Sequence, residues 1–248
     1  MPEIIWGVNP VLESLKAEPE KIEEIIIVRQ ELRGKVYQIL ERAQKAGVRV
    51  KLKETLPSHL LPPNACAQGV LAKMKAFTFA PLERLFQRAQ ERREKPLFLA
   101  VDEITDPQNL GNLIRSAEAA GAHGVILPKH RTSSLTGTVV KASAGAIAHL
   151  PLCQVTNLGR TLETLKDRGL WITGLAGEAE SSIYQLDLSL PLVWVVGSEG
   201  KGLRRGIRKK CDFLASIPMR GKIDSLNAAV AGAIALFETV RQRFFEKR

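Results

Sequence analysis

Residues 97–128, LFLAVDEITDPQNLGNLIRSAEAAGAHGVILP, decide how the second half of this 248-residue chain is expected to fold. The run LFLAVDEI has the length and apolar character of a buried strand. Residues 109–120 then repeat apolar side chains at helical spacing, and Asn109 stands where a helix cap belongs. GVILP is predicted to form a second buried strand. Two apolar strands joined by a helix are typical of a parallel sheet covered on both faces.

The same alternation continues to the end of the chain. Further strands are predicted from LPLCQV, WITGLA, PLVWVVGSEG and FLASIPM, and further helices from LTGTVVKASAG, NLGRTLETLKDRG and the residues after Ser225. Short connections between these segments favour an α/β fold with one parallel sheet. Ligands bind such folds at the carboxyl ends of the strands, so the loops there are the candidates for function.

The first 75 residues are expected to form a separate, small α/β unit. IEEIIIV, VRVKLK and AQGVLAKM are predicted strands, NPVLESLKA is a helix capped by Asn9, and ELRGKVYQILERAQKAG is a second helix. Residues 76–95 are polar and charged, and they are predicted to be a linker. A solvated helix that belongs to one of the two domains fits the same residues.

Composition narrows the kinds of partner. The formal net charge of +10 favours a polyanion, with nucleic acid first, because basic side chains neutralise phosphates and release counterions. Three cysteines without a CxxC pair, and four histidines without ligand spacing, favour neither a disulfide framework nor a metal site. No signal peptide and no membrane-spanning apolar run are evident, so a cytoplasmic protein without membrane contact is expected.

The first strand-end loop carries more polar side chains than a helix start needs. Asn112 and Arg115 lie three and six residues after Asn109, so all three face broadly to one side of the first two turns. An arginine is unfavourable near the positive end of the helix dipole. These groups are therefore candidates for holding a phosphate or a sugar. A plain cap with a surface arginine is the alternative.

The second loop, VVGSEGKGLRR, matches neither of the common phosphate-binding patterns, GxxxxGK[ST] and GxGxxG. Glu199 in its middle would repel a phosphate, which favours a ligand of positive character. A flexible glycine turn is the alternative interpretation.

The third loop, SIPMRGKIDSLNAAVAGAIALFE, leads into the final helix. Asp224 or Ser225 is expected to cap that helix, which would leave Asn227 free for another purpose. The alanines and the glycine that follow would let the helix pack very close to a neighbouring backbone.

In this order and spacing, the three loops resemble the signature motifs of the SpoU/TrmH family of RNA ribose 2'-O-methyltransferases. The matching text is DPQNLGNLIRSAEAAG, VVGSEGKGL and IPMRGKIDSLNAAVAGAIALFE, and it is extended by GVILPKHRTSSLTGTVVKASAGAIAHLPL. At the N-terminus, GVNPVLESL and AQGVLAKM are typical of the bacterial subgroup that methylates a guanosine ribose of 23S rRNA. The resemblance therefore covers nearly the whole chain.

The resemblance implies an α/β SPOUT-class methyltransferase domain over residues 96–248, with a parallel sheet and a C-terminal trefoil knot. A threaded chain is a rare exception to the topology of most folds. The preceding residues 1–75 would form a small α/β domain that is similar to ribosomal protein L30e and binds the RNA substrate. The resemblance also implies a homodimer whose site is assembled across the interface. The cofactor that it implies is S-adenosyl-L-methionine.

Individual residues fall on the family's motif positions. The catalytic candidates are Asn109, Arg115, Glu199, Ser225 and Asn227. The implied cofactor contacts are Leu175, Gly197, Ile217, Met219 and Leu226. In the family, the arginine is often described as the base that takes the 2'-hydroxyl proton. A guanidinium normally stays protonated, so the alternative is that Arg115 holds the 2'-oxygen and the adjoining phosphate. Glu199 would orient Arg115 or interact with the substrate.

Basic side chains available to RNA occur in both halves of the chain. They are Arg29, Arg33, Lys51 and Lys53 in the first half, and Lys129, Arg131 and Lys141 in the second. For each of them, a solvated surface charge is the alternative.

Two departures from the family pattern bear on the substrate. Ala148 stands where many relatives have a glutamate, and Asn112 where small or apolar residues are common. A tRNA ribose, and an rRNA-binding assembly or resistance factor without catalysis, remain alternative functions.

Overall fold

The computed structural model describes residues 4–17, 19–61, 65–75 and 77–245. The chain divides into two compact units, residues 1–78 and 79–248. In the described part, no helix is both long enough and apolar enough to cross a membrane.

The first unit is a four-stranded sheet with two long helices. Its elements are β1 (Ile4–Trp6), α1 (Val8–Ala17), β2 (Ile22–Val28), α2 (Lys35–Lys45), β3 (Arg49–Lys53) and β4 (Val70–Met74). The strand order is β1-β4-β2-β3, in which β3 is parallel to β2 while β4 is antiparallel to both of its neighbours. Ile25 and Ile27 of β2 point into one core with Val11 of α1 and Ile39 of α2. The three predicted strands are confirmed.

Both predicted helix starts in this unit are wrong by a few residues. Helix α1 begins at Val8, so Asn9 lies inside the first turn, where its Oδ1 accepts a hydrogen bond from Nζ of Lys35 (3.2 Å). Helix α2 begins only at Lys35, because Gly34 has a φ of 54° and the preceding residues 29–31 form a separate 3-10 turn.

The second unit is an α/β fold with a six-stranded parallel sheet in the order β10-β8-β9-β5-β6-β7. Its strands are β5 (Leu97–Asp102), β6 (Gly124–Pro128), β7 (Leu152–Val155), β8 (Trp171–Leu175), β9 (Leu192–Gly197) and β10 (Phe213–Ala215). Its helices are α3 (Leu82–Arg92), α4 (Pro107–Ala119), α5 (Gly137–Ala142), α6 (Leu158–Asp167), α7 (Arg205–Arg208) and α8 (Ala228–Val240). The predicted parallel sheet is confirmed.

The central strand β5 supplies side chains to both faces of this sheet. Leu97, Leu99 and Val101 belong to the core formed with α4, α5 and α8. Phe98 and Ala100 belong to the opposite core, formed with α3, α6 and α7. This alternation follows from the two-residue period of a strand, and it explains why the whole run is apolar.

The segment predicted as a linker contains helix α3. Its Leu85 and Ala89 are buried, and Leu85 packs in the core of the second unit. Ala76 lies outside the described residues; residues 77–78 group with the first unit and residues 79–95 with the second. The structure therefore places this helix within a domain, as the alternative interpretation has it.

Helix α8 lies very close to α4, as its small residues predict. A Cβ on Gly232 would lie 2.4 Å from Cδ2 of Leu113, so a larger residue there would displace this buried side chain of α4. Nε1 of the fully buried Trp194 donates to Oγ1 of Thr239 (2.9 Å) and ties β9 to α8. The C-terminal knot and the likeness of the first unit to L30e stay predictions.

Candidate functional site

Three loops of the second unit meet at one carboxylate oxygen. Oε1 of Glu199 accepts hydrogen bonds from Nδ2 of Asn109 (3.0 Å), from Nδ2 of Asn227 and from the backbone N–H of Ala228 (3.3 Å). Nδ2 of Asn227 also donates to Oδ1 of Asn109 (2.8 Å). Asn109 and Asn227 are 118 residues apart in the sequence, so only the fold brings them together. We call Asn109, Glu199 and Asn227 the amide–carboxylate cluster.

Asn109 is free to join this cluster because another residue caps α4. Asp106 is the cap: its Oδ2 accepts the backbone N–H of Asn109 (2.8 Å), and Pro107 occupies the first helical position. The prediction that Asn109 caps the helix is therefore wrong. Its buried side chain instead points across to Glu199.

Asn227 has the role that was predicted for Asp224 or Ser225. Its Oδ1 accepts the N–H groups of Ala229 (2.9 Å) and Val230 (3.2 Å), and so caps α8. The predicted cap is wrong, because the helix begins at Ala228 and not after Ser225. Because Oδ1 of Asn227 accepts the N–H groups of the helix, the NH₂ group of the same side chain points to the cluster and donates there.

Glycines shape the loop that carries Glu199. A Cβ on Gly197, at the end of β9, would lie 2.3 Å from the backbone carbon of Gly202, so the two backbones touch. The N–H of Gly202 donates to the carbonyl of Ser198 (2.9 Å), and Gly202 has a φ of 63°. The turn therefore needs its glycines, which agrees with the alternative interpretation of this loop as a glycine turn. Glu199 is exposed, and the donors to its Oε1 are neutral protein groups, not a positively charged one.

Arg115 and Ser225 lie outside the cluster. Both side chains are exposed, and neither forms a hydrogen bond or an ion pair with any residue that the structure describes. Arg115 lies six residues beyond Asn109 on α4, about 9 Å farther along the helix axis. The structure thus brings three of the five catalytic candidates into contact and leaves Arg115 and Ser225 free to bind something else.

Three of the candidate cofactor residues lie at or just beyond the carboxyl ends of three neighbouring strands. Leu175 ends β8 and Gly197 ends β9, and both are buried. Ile217 follows β10 and is half-buried against the core. Leu226 is half-buried next to Asn227, whereas Met219 is exposed. The N–H of residue 176, just after β8, donates to the carbonyl of residue 215 at the end of β10 (3.0 Å). This hydrogen bond holds these two strand ends together.

Sequence analysis missed an ion pair between a buried aspartate and a partly exposed arginine that follows the Glu199 loop. Asp102 ends β5 and is completely buried; its Oδ1 accepts from Nε of Arg204 (2.7 Å) and its Oδ2 from the backbone N–H of Arg204 (2.9 Å). Hydrogen bonding to this carboxylate raises the pKa of the Arg204 guanidinium. The pair anchors the chain just after the glycine-rich turn. An aspartate at the end of an otherwise apolar run was the available signal.

All of the basic RNA candidates are exposed. Arg131 pairs with Glu103 (3.3 Å), and Lys51 pairs with the buried carboxylate of Glu24. Arg33 pairs with Glu31 (3.9 Å), and the side chains of Arg29, Lys53, Lys129 and Lys141 are exposed to solvent. Among the described residues, no group of histidine, cysteine, aspartate or glutamate side chains could hold a metal ion.

Comparison with known proteins identifies the class. Residues 96–237 match the model of the SpoU rRNA Methylase family, and residues 4–80 match the model described as RNA 2'-O ribose methyltransferase substrate binding. The chain belongs to the SpoU rRNA methylase family. The predicted family is confirmed.

Individual relatives make the comparison more specific. The chain is 42% identical to the 23S rRNA (guanosine-2'-O-)-methyltransferase RlmB of Pseudomonas putida, over 97% of each protein. It is also 42% identical to YacO of Bacillus subtilis, which is named for the TrmH family of tRNA/rRNA methyltransferases, over 97% of this chain and 96% of that protein.

Solved structures agree with these relatives. The SpoU methyltransferase AviRb from Streptomyces viridochromogenes, in complex with AdoMet, is 28% identical with a TM-score of 0.69, over 98% of this chain and 91% of AviRb. An AdoMet-bound rRNA methyltransferase from Sinorhizobium meliloti is 26% identical with a TM-score of 0.68, over 98% of this chain and 88% of that protein.

Proposed function

We propose that this protein transfers a methyl group from S-adenosyl-L-methionine to a ribose 2'-hydroxyl of RNA, and that the target is a guanosine of 23S rRNA. The observation that carries the proposal is the amide–carboxylate cluster, in which the loops of all three family motifs meet. Full-length relatives that are named for this reaction support it.

The loops next to the cluster suit this cofactor. Half-buried apolar side chains of Ile217 and Leu226 offer contacts for a flat base, and the strand ends offer backbone groups for ribose hydroxyls. When bound, the cofactor supplies an electrophilic methyl group on a positively charged sulfur. The exposed carboxylate of Glu199 suits such a charge, which agrees with the expectation of a ligand of positive character.

We assign the cluster to positioning. A 2'-hydroxyl is a very weak acid, so its attack depends on placement, and placement can supply about 7–11 kcal/mol of a barrier. The hydrogen bonds among Asn109, Glu199 and Asn227 hold the starts of α4 and α8 and the glycine-rich turn in one arrangement. Oε2 of Glu199 has no protein donor among the described residues and can accept a hydrogen bond from the substrate.

We assign Arg115 to the substrate. It is exposed and unpaired among the described residues, and a guanidinium keeps its proton while it binds phosphate and oxygen ligands in a fork. It therefore holds the 2'-oxygen and the adjoining phosphate. Ser225 is exposed beside the cluster and completes the polar surface.

We also propose that the protein acts as a homodimer. Val230 and Phe237 lie seven residues apart on α8 and are 47% and 48% exposed, and Phe244, which is 60% exposed, follows in the π-helical segment Arg241–Phe245. Apolar side chains at this spacing form one stripe along a helix and suit a second copy of the same surface. Helix α4, which carries Arg115, packs against α8.

Support for rRNA over tRNA comes from how much of the chain the relatives match. The tRNA-modifying TrmH/SpoU enzyme of A. aeolicus covers 64% of this chain, whereas the S. meliloti rRNA methyltransferase covers 98%. The first unit, which matches the substrate-binding model, is assigned to holding rRNA.

Methyl-labelled S-adenosylmethionine tests the proposal in vitro. Incubation with 23S rRNA should place the label in alkali-resistant dinucleotides, because a methylated 2'-oxygen cannot assist cleavage of the chain. Label in tRNA instead would support the tRNA alternative. Absence of label, together with no S-adenosylmethionine binding by calorimetry, would support an inactive RNA-binding protein.

A further inference from the structure

A separate cleft opens at the same edge of the second sheet. Its volume is about 690 Å³. The lining comes from the residues after β6, the start of α6 and the start of α7, and it includes His130, Arg131, Asn157, Gly159, Arg204 and Gly206. None of the predicted catalytic or cofactor residues lines it. We call it the α6 cleft.

The surroundings of the α6 cleft are positive. Arg131 and Arg204 line it, and none of its described lining residues is acidic. Lys129, Arg160 and Arg205 are exposed and adjoin lining positions in the sequence. The carboxylates bonded to the lining arginines are those of Asp102, which is wholly buried and pairs with Arg204, and Glu103, which pairs with Arg131 (3.3 Å) and also lies 3.7 Å from Nε of Arg204. The lining arginines and their basic neighbours in the sequence therefore outnumber the carboxylates bonded to them, and both of those carboxylates already have partners.

The backbone adds donors to this charge. The N–H groups of Leu158 and Gly159 in the first turn of α6 have no acceptor inside the helix. Asn157 caps the N–H of Arg160 (3.1 Å) and leaves the earlier donors open on the cleft side. An anion at this position would also meet the positive end of the helix dipole.

Two residues of this region hold an unfavourable backbone conformation. Arg131 has a φ of 61° and its partner Glu103 a φ of 58°, the left-handed region in which side chains other than glycine are strained. Strain of this kind concentrates at binding sites. The ion pair between Arg131 and Glu103 joins two partly exposed groups and contributes little stability. It does not by itself explain why both residues keep a left-handed backbone conformation.

We propose that the α6 cleft binds a backbone phosphate of the substrate RNA close to the nucleotide that is methylated. The inference rests on the proposed function and extends it. Strand β5 lies between β9, which leads to Glu199, and β6, which leads to the cleft. Arg204 lines the cleft five residues after Glu199, and Asp102 fixes its position. A single RNA strand crossing this edge meets both sites.

Gly159→Asp tests the cleft without removing any contact. A Cβ at Gly159 would make ordinary contacts, 3.5 Å from Oδ1 of Asn157 and 3.8 Å from Cδ1 of Ile207. An aspartate in the first turn of a helix is favoured by the dipole, so the melting temperature should be unchanged or higher. Its negative charge should nevertheless repel the phosphate. Gly159→Asn has the same shape without the charge and is the matched control.

The readout is the affinity for a 23S rRNA transcript, titrated at several salt concentrations. Losing one phosphate contact should reduce the slope of log K against log salt by about 0.7, with binding roughly tenfold weaker at low salt. Gly159→Asn should remain close to the wild type. Arg93→Gln makes the same change in net charge on an exposed residue just before β5 begins, at the opposite edge, and should also have little effect.

Failure of the cleft and failure of the enzyme are distinguishable. Equal affinities and salt slopes for Gly159→Asp and Gly159→Asn would overturn the phosphate site, even if the wild type methylates rRNA. A wild type that transfers no methyl group, combined with weaker RNA binding by Gly159→Asp alone, would support the cleft and reject the proposed reaction.

Discussion

The exposed carboxylate of Glu199 connects the glycine-rich turn to the starts of α4 and α8. One of its oxygens accepts two asparagine amides and a backbone N–H, and these donors come from the starts of two different helices. Hydrogen bonds to a charged group are worth about 1.5–3 kcal/mol when they are shielded from water, and less at an exposed group such as this. The effect of Glu199 is therefore expected mainly in the positioning of the loops rather than in the stability of the fold.

Replacing Glu199 by glutamine removes the charge at nearly constant size. The amide oxygen of glutamine can take the place of Oε1, but it is neutral and holds the donors of Asn109 and Asn227 more weakly, and the NH₂ group in the place of Oε2 cannot accept a hydrogen bond from the substrate. Misplacement by about 1 Å can reduce a rate about 100-fold, and we expect a loss of this order in methyl transfer. Glu41→Gln, on the exposed side of α2, should have no effect and is the control. Equal rates for both variants would remove Glu199 from the mechanism.

Arg115 should likewise matter for turnover and not for the stability of the fold. Because it is exposed and unpaired among the described residues, Arg115→Ala should change the free energy of unfolding by less than about 0.5 kcal/mol. Binding of S-adenosylmethionine, measured by calorimetry, should persist while methyl transfer is lost. Arg115→Lys should also be impaired, since lysine cannot replace the planar fork. Normal turnover by the alanine variant would refute the assignment to the substrate.

At the scale of single elements, the apolar runs were the dependable part of the sequence. IEEIIIV, LFLAVDEI, GVILP and PLVWVVG all became strands, because a strand buried on both faces leaves little choice of side chain. Helix starts were less predictable. Asp106 and Asn109, or Ser225 and Asn227, are equally good caps by residue type, and tertiary contacts decide between them.

The glycine-rich turn can be tested as an element. A Cβ on Gly197 would lie 2.3 Å from the backbone of Gly202, so Gly197→Ala must displace the turn that carries Glu199. We expect a loss of about 1–3 kcal/mol in the free energy of unfolding, as for other overpacked sites, together with weaker S-adenosylmethionine binding. Denaturant titration and calorimetry measure the two effects.

Gly206→Ala is the control for this turn, since its Cβ would enter open space. If both alanine variants unfold at the same denaturant concentration and bind the cofactor equally, the close backbone approach at Gly197 contributes neither to stability nor to cofactor binding.

At the scale of the whole molecule, pairs distant in sequence were beyond prediction from the residues alone. Asp102 and Arg204 are 102 residues apart, and nothing in either neighbourhood specifies the other. The meeting of Asn109 with Asn227 became predictable only through resemblance to a family, because their motifs are shared as a set. The same resemblance implies a knot and a dimer, which the residues alone do not suggest.

The proposed dimer leads to a prediction about the C-terminal helical segment. Phe237→Glu places a charge in the exposed apolar stripe and should convert a dimer into a monomer, with loss of methyl transfer. Tyr184→Glu alters a similarly exposed aromatic residue elsewhere in the second unit and should leave the dimer intact. Light scattering coupled to size-exclusion chromatography gives the mass in solution. A Phe237→Glu variant with the mass of the wild type would contradict a dimer interface on this stripe.

The central claim, methylation of a guanosine ribose in 23S rRNA, is tested most directly by mapping 2'-O-methyl groups on rRNA from cells with and without the gene. The account predicts that one 23S rRNA guanosine loses its methyl group when the gene is deleted, and regains it when the wild type is restored but not when Glu199→Gln is supplied. An unchanged 23S rRNA methylation map would contradict it.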